Sequence, residues 1–279
     1  MSDDFDPHRS FLVGMAYRML GSLAEAEDVV QDAFLRWTDT DRAAVTHPRA
    51  YLARVVSRLC LDRMKSAASR REQYVGTWLP EPLVAGPAEP LAEDLSVALL
   101  LTLERLSPLE RAAFLLHDVF DMDYSAIADT LGRTEAACRQ LAARAREHVR
   151  DERPRFTASD ETRAKLTDAF QAAMTTGDIE TISRLLAEDA IFYSDGGGKR
   201  LAALNPIYGK EKILRFMAGL ASKRPMPQPE QVERVQINGL PGFVLRTSEG
   251  IETIALEFAG EQIVAIYAVR NPDKLRHLA

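Results

Sequence analysis

The apolar residues of this 279-residue chain change their spacing partway along the sequence. Over the first 155 residues they recur every three or four positions, as in amphipathic helices, and residues 160–190 and Lys210–Ala221 continue that pattern. From Val232 to Val269 they alternate with polar residues between short turns, which is typical of β-strands. We therefore expect a multidomain chain with an all-α N-terminal half and an α+β domain over residues 156–279.

A segment rich in proline and glycine divides the helical half. Residues 76–95 contain four prolines and two glycines, which disfavour a regular element, so we interpret them as a linker between helical modules at residues 1–75 and 96–155. Its most distinctive residues are Trp78, Leu79, Pro80, Glu81 and Pro82. A tryptophan on a proline-stiffened segment indicates either docking on a partner surface or packing against the nearest helix.

The second helical module has the spacing of a helix-turn-helix. Asp123 is expected to cap a short helix that ends at Gly132, and Thr134 to cap a basic helix that runs to about Arg150. The first turns of such a helix read base edges in the major groove, and later residues reach phosphates. Since an αα-hairpin with a basic last helix occurs in many proteins, DNA binding and a plain hairpin both stay open. The candidate DNA-facing residues are Thr134, Glu135, Ala137, Arg139, Gln140, Arg144 and Arg146.

The charge distribution predicts two different surfaces in the first module. The formal net charge of −6 by itself argues against nucleic-acid binding. However, residues 1–53 hold nine acidic and five basic residues, whereas residues 54–71 hold six basic residues and one acidic residue. An acidic helix followed by a basic one is expected either to bind two kinds of partner or to present two solvated faces.

Other features exclude several classes of protein. Apolar residues make up 46% of the chain, enough for sizeable cores, so a mostly disordered chain is excluded. The longest apolar run is far shorter than a membrane span, and the acidic N-terminus is unlike a secretion signal, so no membrane partner is expected. Cys60 and Cys138 lie far apart and outside any CxxC motif, which favours a cytoplasmic protein without a disulfide or a metal site.

Three segments of the helical half are similar to motifs of one family. They read AEDVVQDAFL at residues 26–35, PRAYL at residues 48–52 with LDR at residues 61–63, and LSPLER at residues 106–111 before the helix-turn-helix. In this order they resemble the group-four, or extracytoplasmic-function, sigma factors. The resemblance implies a promoter-specificity factor that binds bacterial core RNA polymerase through the β′ clamp and β flap, and promoter DNA at the −10 and −35 elements.

The same resemblance assigns roles to individual residues. It implies that the acidic face docks on the β′ clamp through Asp28, Gln31 and Asp32. It implies −10 contacts by Arg54, Arg58, Arg63 and Lys65. The DNA-facing residues of the helix-turn-helix would contact the −35 element. Many members of the family have a basic residue one turn before Arg144, where this chain has Leu141, so the −35 sequence of a relative cannot be transferred.

Three further segments resemble motifs of the sigma-J-type subgroup, whose members carry a fused SnoaL-like domain. One is the Trp78–Pro82 segment. The others are Asp195, Gly196, Gly197, Gly198 and Lys199, and Asn271, Pro272, Asp273, Lys274 and Leu275. The resemblance implies a SnoaL/ketosteroid-isomerase cone over residues 156–279, which contacts the linker and sets the distance between the helical modules. It also implies regulation by this cone in place of a separate anti-sigma protein, and no cofactor is expected.

Two alternatives stay open, because related cones include enzymes with an acid or base in a pocket. For an isomerase or cyclase the candidate groups are Tyr193, Asp195 and His277, although Asp195 precedes three glycines and is better suited to a turn. The other alternative is a DNA-binding regulator that holds a small-molecule ligand in the cone and does not bind polymerase. The DGGGK sequence lacks the spacing of nucleotide-binding motifs.

Overall fold

Helices account for the N-terminal half of the chain. The computed structural model describes residues 4–71, 74–85, 96–151, 159–223 and 231–279. The first helices are α1 (Asp6–Leu20), α2 (Leu23–Thr38) and α3 (Pro48–Arg71). They are followed by α4 (Val97–Arg105), α5 (Pro108–Phe114), a π-helix (Leu115–Val119), α6 (Tyr124–Leu131) and α7 (Glu135–Asp151).

Side-chain caps begin three helices of the second module, two of them at the predicted residues Asp123 and Thr134. The Ser107 hydroxyl accepts the Glu110 N–H at 3.3 Å, while the Glu110 carboxylate accepts the Ser107 N–H at 3.1 Å. Asp123 caps α6, Gly132 ends it in the left-handed conformation, and the Thr134 hydroxyl caps α7. The predicted helix-turn-helix is confirmed at the level of its backbone.

The chain folds into two compact units that do not follow the linear order of the sequence. One unit contains Met1–Gln73 and Ala98–Arg153, and the other contains Tyr74–Val97 and Pro154–Ala279. The segment between the two helical modules therefore belongs to the C-terminal unit. The boundary expected near residue 155 lies outside the described residues.

A buried arginine joins the two modules within the helical unit. Arg111 on α5 is 1% exposed and donates to the carbonyl oxygens of Leu103 and Met19, each at 2.7 Å. Its guanidinium also forms an ion pair of 2.6 Å with Glu104. Met19 lies in the last turn of α1, so Arg111 satisfies a carbonyl that the helix end leaves free. Burial lowers the pKa of Arg111 to about 9, and the side chain is therefore charged at neutral pH.

The C-terminal unit is built on one sheet with the strand order β1-β4-β5-β6-β7-β2-β3. The strands are β1 (Val84–Ala85), β2 (Leu186–Asp195), β3 (Ile207–Tyr208), β4 (Gln231–Ile237), β5 (Leu240–Thr247), β6 (Gly250–Ala259) and β7 (Gln262–Val269). The pairing of β2 with β7 is parallel, and the other neighbouring strands are antiparallel. The helices of this unit are α8 (Asp160–Thr176), α9 (Ile179–Leu185) and α10 (Lys210–Lys223).

The core of the C-terminal unit lies between these helices and one face of the sheet. Phe170 from α8 and Ile213 from α10 are buried against Phe243, Leu256 and Ile266 from the strands. Core residues occupy alternate positions on β6, at Leu256 and Phe258, and on the second half of β7, at Ile266 and Ala268, as the sequence pattern predicts. The all-α half and the α+β cone are thus both confirmed.

Two sequence predictions about regular elements are wrong. Residues 186–190 were expected to extend a helix, but they begin β2. Glu188 and Asp189 are both exposed where a register shift interrupts the pairing with β7, so the strand lacks the alternation that marks the others. Val84–Ala85, expected to be irregular, forms β1 at the edge of the sheet, between Pro82 and Pro87 in the sequence.

Three features of the described ranges concern membrane spans, cysteines and metal ligands. No described helix is long and apolar enough to cross a membrane. Cys60 and Cys138 are free and buried. Among the described residues there is no group of three or more histidine, cysteine or acidic side chains placed to hold a metal ion.

We predict that Arg111→Met loosens the contact between the two helical modules. The variant removes both backbone hydrogen bonds and the ion pair with Glu104, and it leaves the buried Met19 carbonyl without this donor, which costs about 3 kcal/mol. Hydrogen exchange of the α1 and α5 amides should accelerate accordingly. The matched control is Arg133→Met, because Arg133 is exposed and donates to the neighbouring Gly132 carbonyl. Equal exchange in both variants would contradict the prediction.

Candidate functional site

Helix α7 presents one packed face and one open face. Cys138, Ala142 and Ala145 are fully buried against the rest of the helix-turn-helix. The open face carries most of the predicted DNA-facing side chains. They are Thr134, Glu135, Arg139, Gln140 and Arg144, all exposed. Ala137 is half-buried, and its N–H donates to the Thr134 cap at 3.2 Å. The structure therefore places a polar, arginine-rich surface on the first turns of the second helix.

Contacts with neighbouring side chains hold Arg139 on this surface. Its guanidinium forms an i,i+4 ion pair of 3.2 Å with Glu135. Its Cζ atom also lies 5.5 Å from the ring centroid of Tyr124, which is the first residue of α6. The candidate base-reading arginine is thus oriented by both helices of the motif.

Arg146 differs from the other predicted DNA-facing residues, because its guanidinium is held by the preceding elements. Its Nε donates to Asp118 Oδ1 at 2.7 Å, and one of its Nη atoms donates to the Tyr124 hydroxyl at 2.9 Å and contacts His117 Nδ1 at 3.1 Å. The hydrogen bond to Asp118, followed by that to Tyr124, raises the pKa of Arg146. Sequence spacing does not reveal these contacts, since Asp118 lies 28 residues earlier.

The structure brings the predicted clamp residues and a predicted −10 residue together. On α2, Asp28 and Gln31 are exposed and Asp32 is half-buried. Arg63 on α3 reaches across to this face, with one Nη atom 3.1 Å from Asp32 Oδ2 and the other 3.5 Å from Asp28 Oδ2. It also donates to the Glu25 carbonyl at 3.3 Å. Arg63 therefore neutralises part of the acidic face in this conformation.

The remaining predicted −10 residues have different surroundings. Arg58 donates from Nε to the Thr130 carbonyl at 3.1 Å and from Nη to the Asp129 carbonyl at 2.7 Å, at the C-terminal end of α6. Lys65 is exposed and pairs with Asp62 at 3.0 Å, while Arg54 is half-buried. The side chains of residues 66–71 lie outside the described part of the chain.

In the C-terminal unit, the linker and both cone motifs meet at one carboxylate. Asp195 is fully buried at the end of β2. Its Oδ1 accepts the Tyr74 hydroxyl at 2.5 Å and the Gly197 N–H at 3.0 Å. Its Oδ2 accepts the Leu79 N–H at 2.9 Å and the Lys274 ammonium at 2.8 Å. Asp195 does form the expected turn contact, and it also holds the linker.

Lys274 and Asn271 complete this contact. The Lys274 ammonium donates to the Leu79 carbonyl and lies 4.2 Å from the ring centroid of Trp78. Asn271 donates from Nδ2 to the Tyr74 hydroxyl at 2.8 Å. Gly197 has a φ of 59°, and a Cβ at this position would lie 2.2 Å from Asn271 Nδ2. Glycine is therefore required where the turn passes under the NPDKL segment.

The other motif residues surround this site. Leu79, Pro80, Glu81 and Pro82 are buried, and so is Leu275. Lys199 and Asp273 form an ion pair that joins the DGGGK segment to the NPDKL segment. Gly196 is buried, Gly198 is exposed, and Pro272 is the first residue of a 3₁₀ turn. All three motifs therefore contribute to one structural site.

Sequence reasoning missed three residues that hold the linker. Tyr74 lies two positions before the proline-rich segment and carries no motif of its own. Asn238 accepts the Leu83 N–H at 3.1 Å, although the sequence indicated only its role in a turn. His277 was singled out as a catalytic candidate, but its Nε2 lies 2.9 Å from the Pro82 carbonyl and its Nδ1 lies 3.3 Å from Glu81.

The candidate catalytic residues do not form one acid–base set. Asp195 and His277 hold the linker, whereas the ring of Tyr193 stacks on Tyr267 at a centroid distance of 5.2 Å. Tyr267 donates to Glu257 Oε2 at 2.6 Å. Glu257 is buried, and burial raises its pKa while the Tyr267 hydrogen bond lowers it. Large apolar side chains fill the face of the sheet that the helices cover. A separate open groove of about 560 Å³ lies on the surface beside α8 and α9.

Comparisons with known proteins agree with this arrangement. The family models of Sigma-70 region 2 and Sigma-70 region 4 match residues 5–70 and 96–149. The chain is 38% identical to the ECF RNA polymerase sigma factor SigJ of Mycobacterium tuberculosis, over 97% of this chain and 92% of that protein. It is also 38% identical to the probable ECF sigma factor SigI of the same species, over 64% of each chain.

One solved structure matches nearly the whole chain. The crystal structure of the M. tuberculosis extracytoplasmic function sigma factor SigJ matches with a TM-score of 0.80 and 35% identity, over 99% of this chain and 98% of that chain. The sigma factor RpoE of Bartonella quintana, solved with the anti-sigma factor NepR, matches 54% of this chain and 96% of its own with a TM-score of 0.42 and 19% identity.

We predict that Glu257→Gln stabilises the C-terminal unit at neutral and alkaline pH. Because the folded-state pKa of Glu257 is raised, the wild-type unit loses stability as the pH increases from the ordinary carboxyl pKa of about 4.3 through the folded value. The amide stays neutral, so the variant should melt near the wild-type temperature at pH 4 and above it at pH 8. Exposed Glu233 on the same sheet supplies the control, Glu233→Gln. A melting difference independent of pH would contradict this expectation.

Proposed function

The chain belongs to the extracytoplasmic-function family of RNA polymerase sigma factors, and on this premise we propose which of its surfaces contact polymerase, which contact promoter DNA and which segment its cone controls. The acidic face of α2 binds the β′ clamp, and the second module contacts the β flap. Helix α3 binds the −10 element, and the first turns of α7 read the −35 element. The cone holds the linker between the two modules.

The assignment of α7 rests on its exposed polar face. A helix-turn-helix reads base edges with the first turns of its second helix, and Arg139 and Gln140 lie there on the open face. Arginine binds guanine and glutamine binds adenine through paired hydrogen bonds in the major groove. Arg144 lies one turn further along, where phosphates are the expected partners.

The spacing of the promoter elements requires a rearrangement within the helical unit. Elements centred near −10 and −35 are about 25 base pairs apart, which is about 85 Å of duplex. A compact unit of this size has a radius of gyration of about 14 Å. The contact of Arg58 with the end of α6 therefore belongs to a state in which the two modules are not both on the promoter. Binding to polymerase and promoter separates them and releases Arg58 for the −10 strand.

The observation that carries the regulatory part of the proposal is the hydrogen bonding of Asp195. A buried carboxylate is costly without partners, and here two of its four donors, the Tyr74 hydroxyl and the Leu79 N–H, come from the segment between α3 and α4. The linker path from Tyr74 to Ala85 is therefore tied to the folded state of the cone. By holding or releasing this segment, the cone sets the separation that the two modules can reach. We expect no cofactor in the cone, and a small-molecule ligand of the cone would be one signal for release of the linker.

The alternatives are distinguished by capture of core polymerase. A DNA-binding regulator that acts without polymerase predicts no stoichiometric complex with the core enzyme. If the chain is an isomerase or cyclase, its activity should depend neither on core polymerase nor on DNA. We still predict that no separate anti-sigma protein binds this chain. Capturing the chain from cells together with its bound proteins tests this prediction.

We predict that charge reversal on α2 weakens binding to core polymerase. Asp28→Lys with Asp32→Lys should reduce affinity by at least about ten-fold, or ~1.4 kcal/mol, because the clamp surface is expected to be basic. The matched control is Arg63→Gln, which breaks the same ion pairs but leaves both acids in place. It should retain core binding and reduce transcription from the promoter. If Arg63→Gln weakens core binding as much as charge reversal, the acidic face is not the contact.

We predict that Asp195→Asn releases the linker and changes transcription. The amide nitrogen cannot accept hydrogen bonds, and the buried pair with Lys274 is broken, which costs about 3 kcal/mol. Hydrogen exchange of residues 74–85 should accelerate by about 100-fold, and run-off transcription should change several-fold. Asp189→Asn, at an exposed position on the same strand, is the control. A released linker with unchanged transcription at every promoter would overturn the regulatory role of the cone.

A further inference from the structure

Two arginines on α7 have similar sequence surroundings but different structural ones. Arg144 is exposed, and within the described residues no hydrogen bond or ion pair of its side chain is found. Arg146, two positions later, has all of its assigned contacts with groups of the same unit. A residue that meets DNA phosphates needs a free guanidinium, and Arg144 alone of the two has one in this conformation.

The partners of Arg146 come from the two elements that precede α7. Asp118 and His117 lie on the π-helix, and Tyr124 is the first residue of α6. The rings of His117 and Tyr124 stack at a centroid distance of 4.2 Å with an interplanar angle of 24°. The guanidinium of Arg146 thus joins three elements, and the stacked rings fix the relative positions of two of them.

The backbone of the π-helix and of Asp121 departs from regular α-helical geometry where these contacts are made. The π-helix widens one turn, with the Phe120 N–H donating to the Leu115 carbonyl at 3.0 Å. Such widened turns are rare and are found frequently at functional sites. The π-helix is followed by Asp121, which has a φ of 53°, uncommon for a residue other than glycine. The widened turn lies at the segment that presents His117 and Asp118 to α7.

The same group of side chains reaches the predicted base-reading surface. Tyr124 contacts Arg146 through its hydroxyl and Arg139 through its ring. Arg139 and Arg146 are seven positions apart, so they lie on one side of α7 and Tyr124 lies between them. A displacement of Tyr124 or Arg146 would therefore move Arg139.

We propose that Arg146, Asp118 and Tyr124 are positioning residues for −35 recognition, and that Arg146 acts through the orientation of α7 and Arg139 rather than by contacting DNA. This inference rests on the proposed function, in which α7 reads the −35 element. Paired hydrogen bonds to a base require close alignment, so a small rotation of α7 weakens base discrimination more than it weakens the attraction to phosphates. Arg144 supplies the phosphate contact.

The test compares the full-length chain and its variants in complex with core polymerase. Each holoenzyme transcribes a promoter library randomised at both the −10 and the −35 positions, at several salt concentrations. The recovered sequences give the base preference at each element, and the yields give the salt dependence. The variants are Arg146→Gln, Asp118→Asn and Tyr124→Phe, and the matched control is Arg144→Gln.

The two roles predict different results. Arg144→Gln should lower the yield for all sequences and reduce the salt slope by about one unit, without changing base preference. Arg146→Gln and Asp118→Asn should each reduce −35 preference by about ten-fold per contacted base pair, with the salt slope and −10 preference unchanged. Asp118→Asn is the sharpest variant, because removing an acid near DNA would strengthen binding if Asp118 acted only through its charge.

Other outcomes also decide the question. If Arg146→Gln behaves like Arg144→Gln, or if Asp118→Asn keeps or improves −35 selection, the inference is wrong. If both variants lose −10 selection and core binding as well, they have not folded, and the Tyr124→Phe variant decides. This variant removes only one hydroxyl. A reduced −35 preference in Tyr124→Phe supports the inference, and an unchanged preference overturns it. A wild-type holoenzyme that selects no −35 bases contradicts the proposed function instead.

Discussion

The C-terminal unit depends on the hydrogen bonds of the Asp195 carboxylate to hold the linker. Each of the three motifs in this unit supplies it with a donor: Leu79 N–H from the linker, Gly197 N–H from the turn and the Lys274 ammonium from the C-terminal segment. A buried acid requires such donors, and the Lys199–Asp273 ion pair and the hydrogen bond from Lys274 to the Leu79 carbonyl join the same segments beside it. The Asp195 side chain thus contacts a linker residue that lies 116 positions earlier in the sequence.

Sequence reasoning predicted the elements whose signals are local. Caps at Asp123 and Thr134 and the strands β4 to β7 each involve residues close in the chain, and the structure confirms them. It did not predict β2 before Ile191, because a register shift and two exposed acids interrupt the alternation. Strand β1 was missed because a two-residue edge strand has no periodicity to detect.

The side-chain partners of the candidate site were beyond sequence reasoning for a different physical reason. Arg58, Arg63 and Arg146 look alike in a sequence, as basic residues on exposed helix faces. In the structure they bind, respectively, the carbonyls at the end of α6, the acids of α2 and the acid of the π-helix. Which acid or carbonyl an arginine reaches depends on how helices cross, and neither composition nor spacing carries that information. The assignment of Asp195 to a turn was incomplete for the same reason.

The reach of the linker connects these observations to promoter binding. Twenty-five residues separate the end of α3 from the start of α4. Fully extended they span at most about 85 Å, which is comparable with the distance between the −10 and −35 elements. While Asp195 holds the path from Tyr74 to Ala85, that path is fixed by the cone, so the contact can reduce this reach but never increase it. In the proposed function, a small change in the hydrogen bonding of one carboxylate therefore alters the set of module separations that the linker permits.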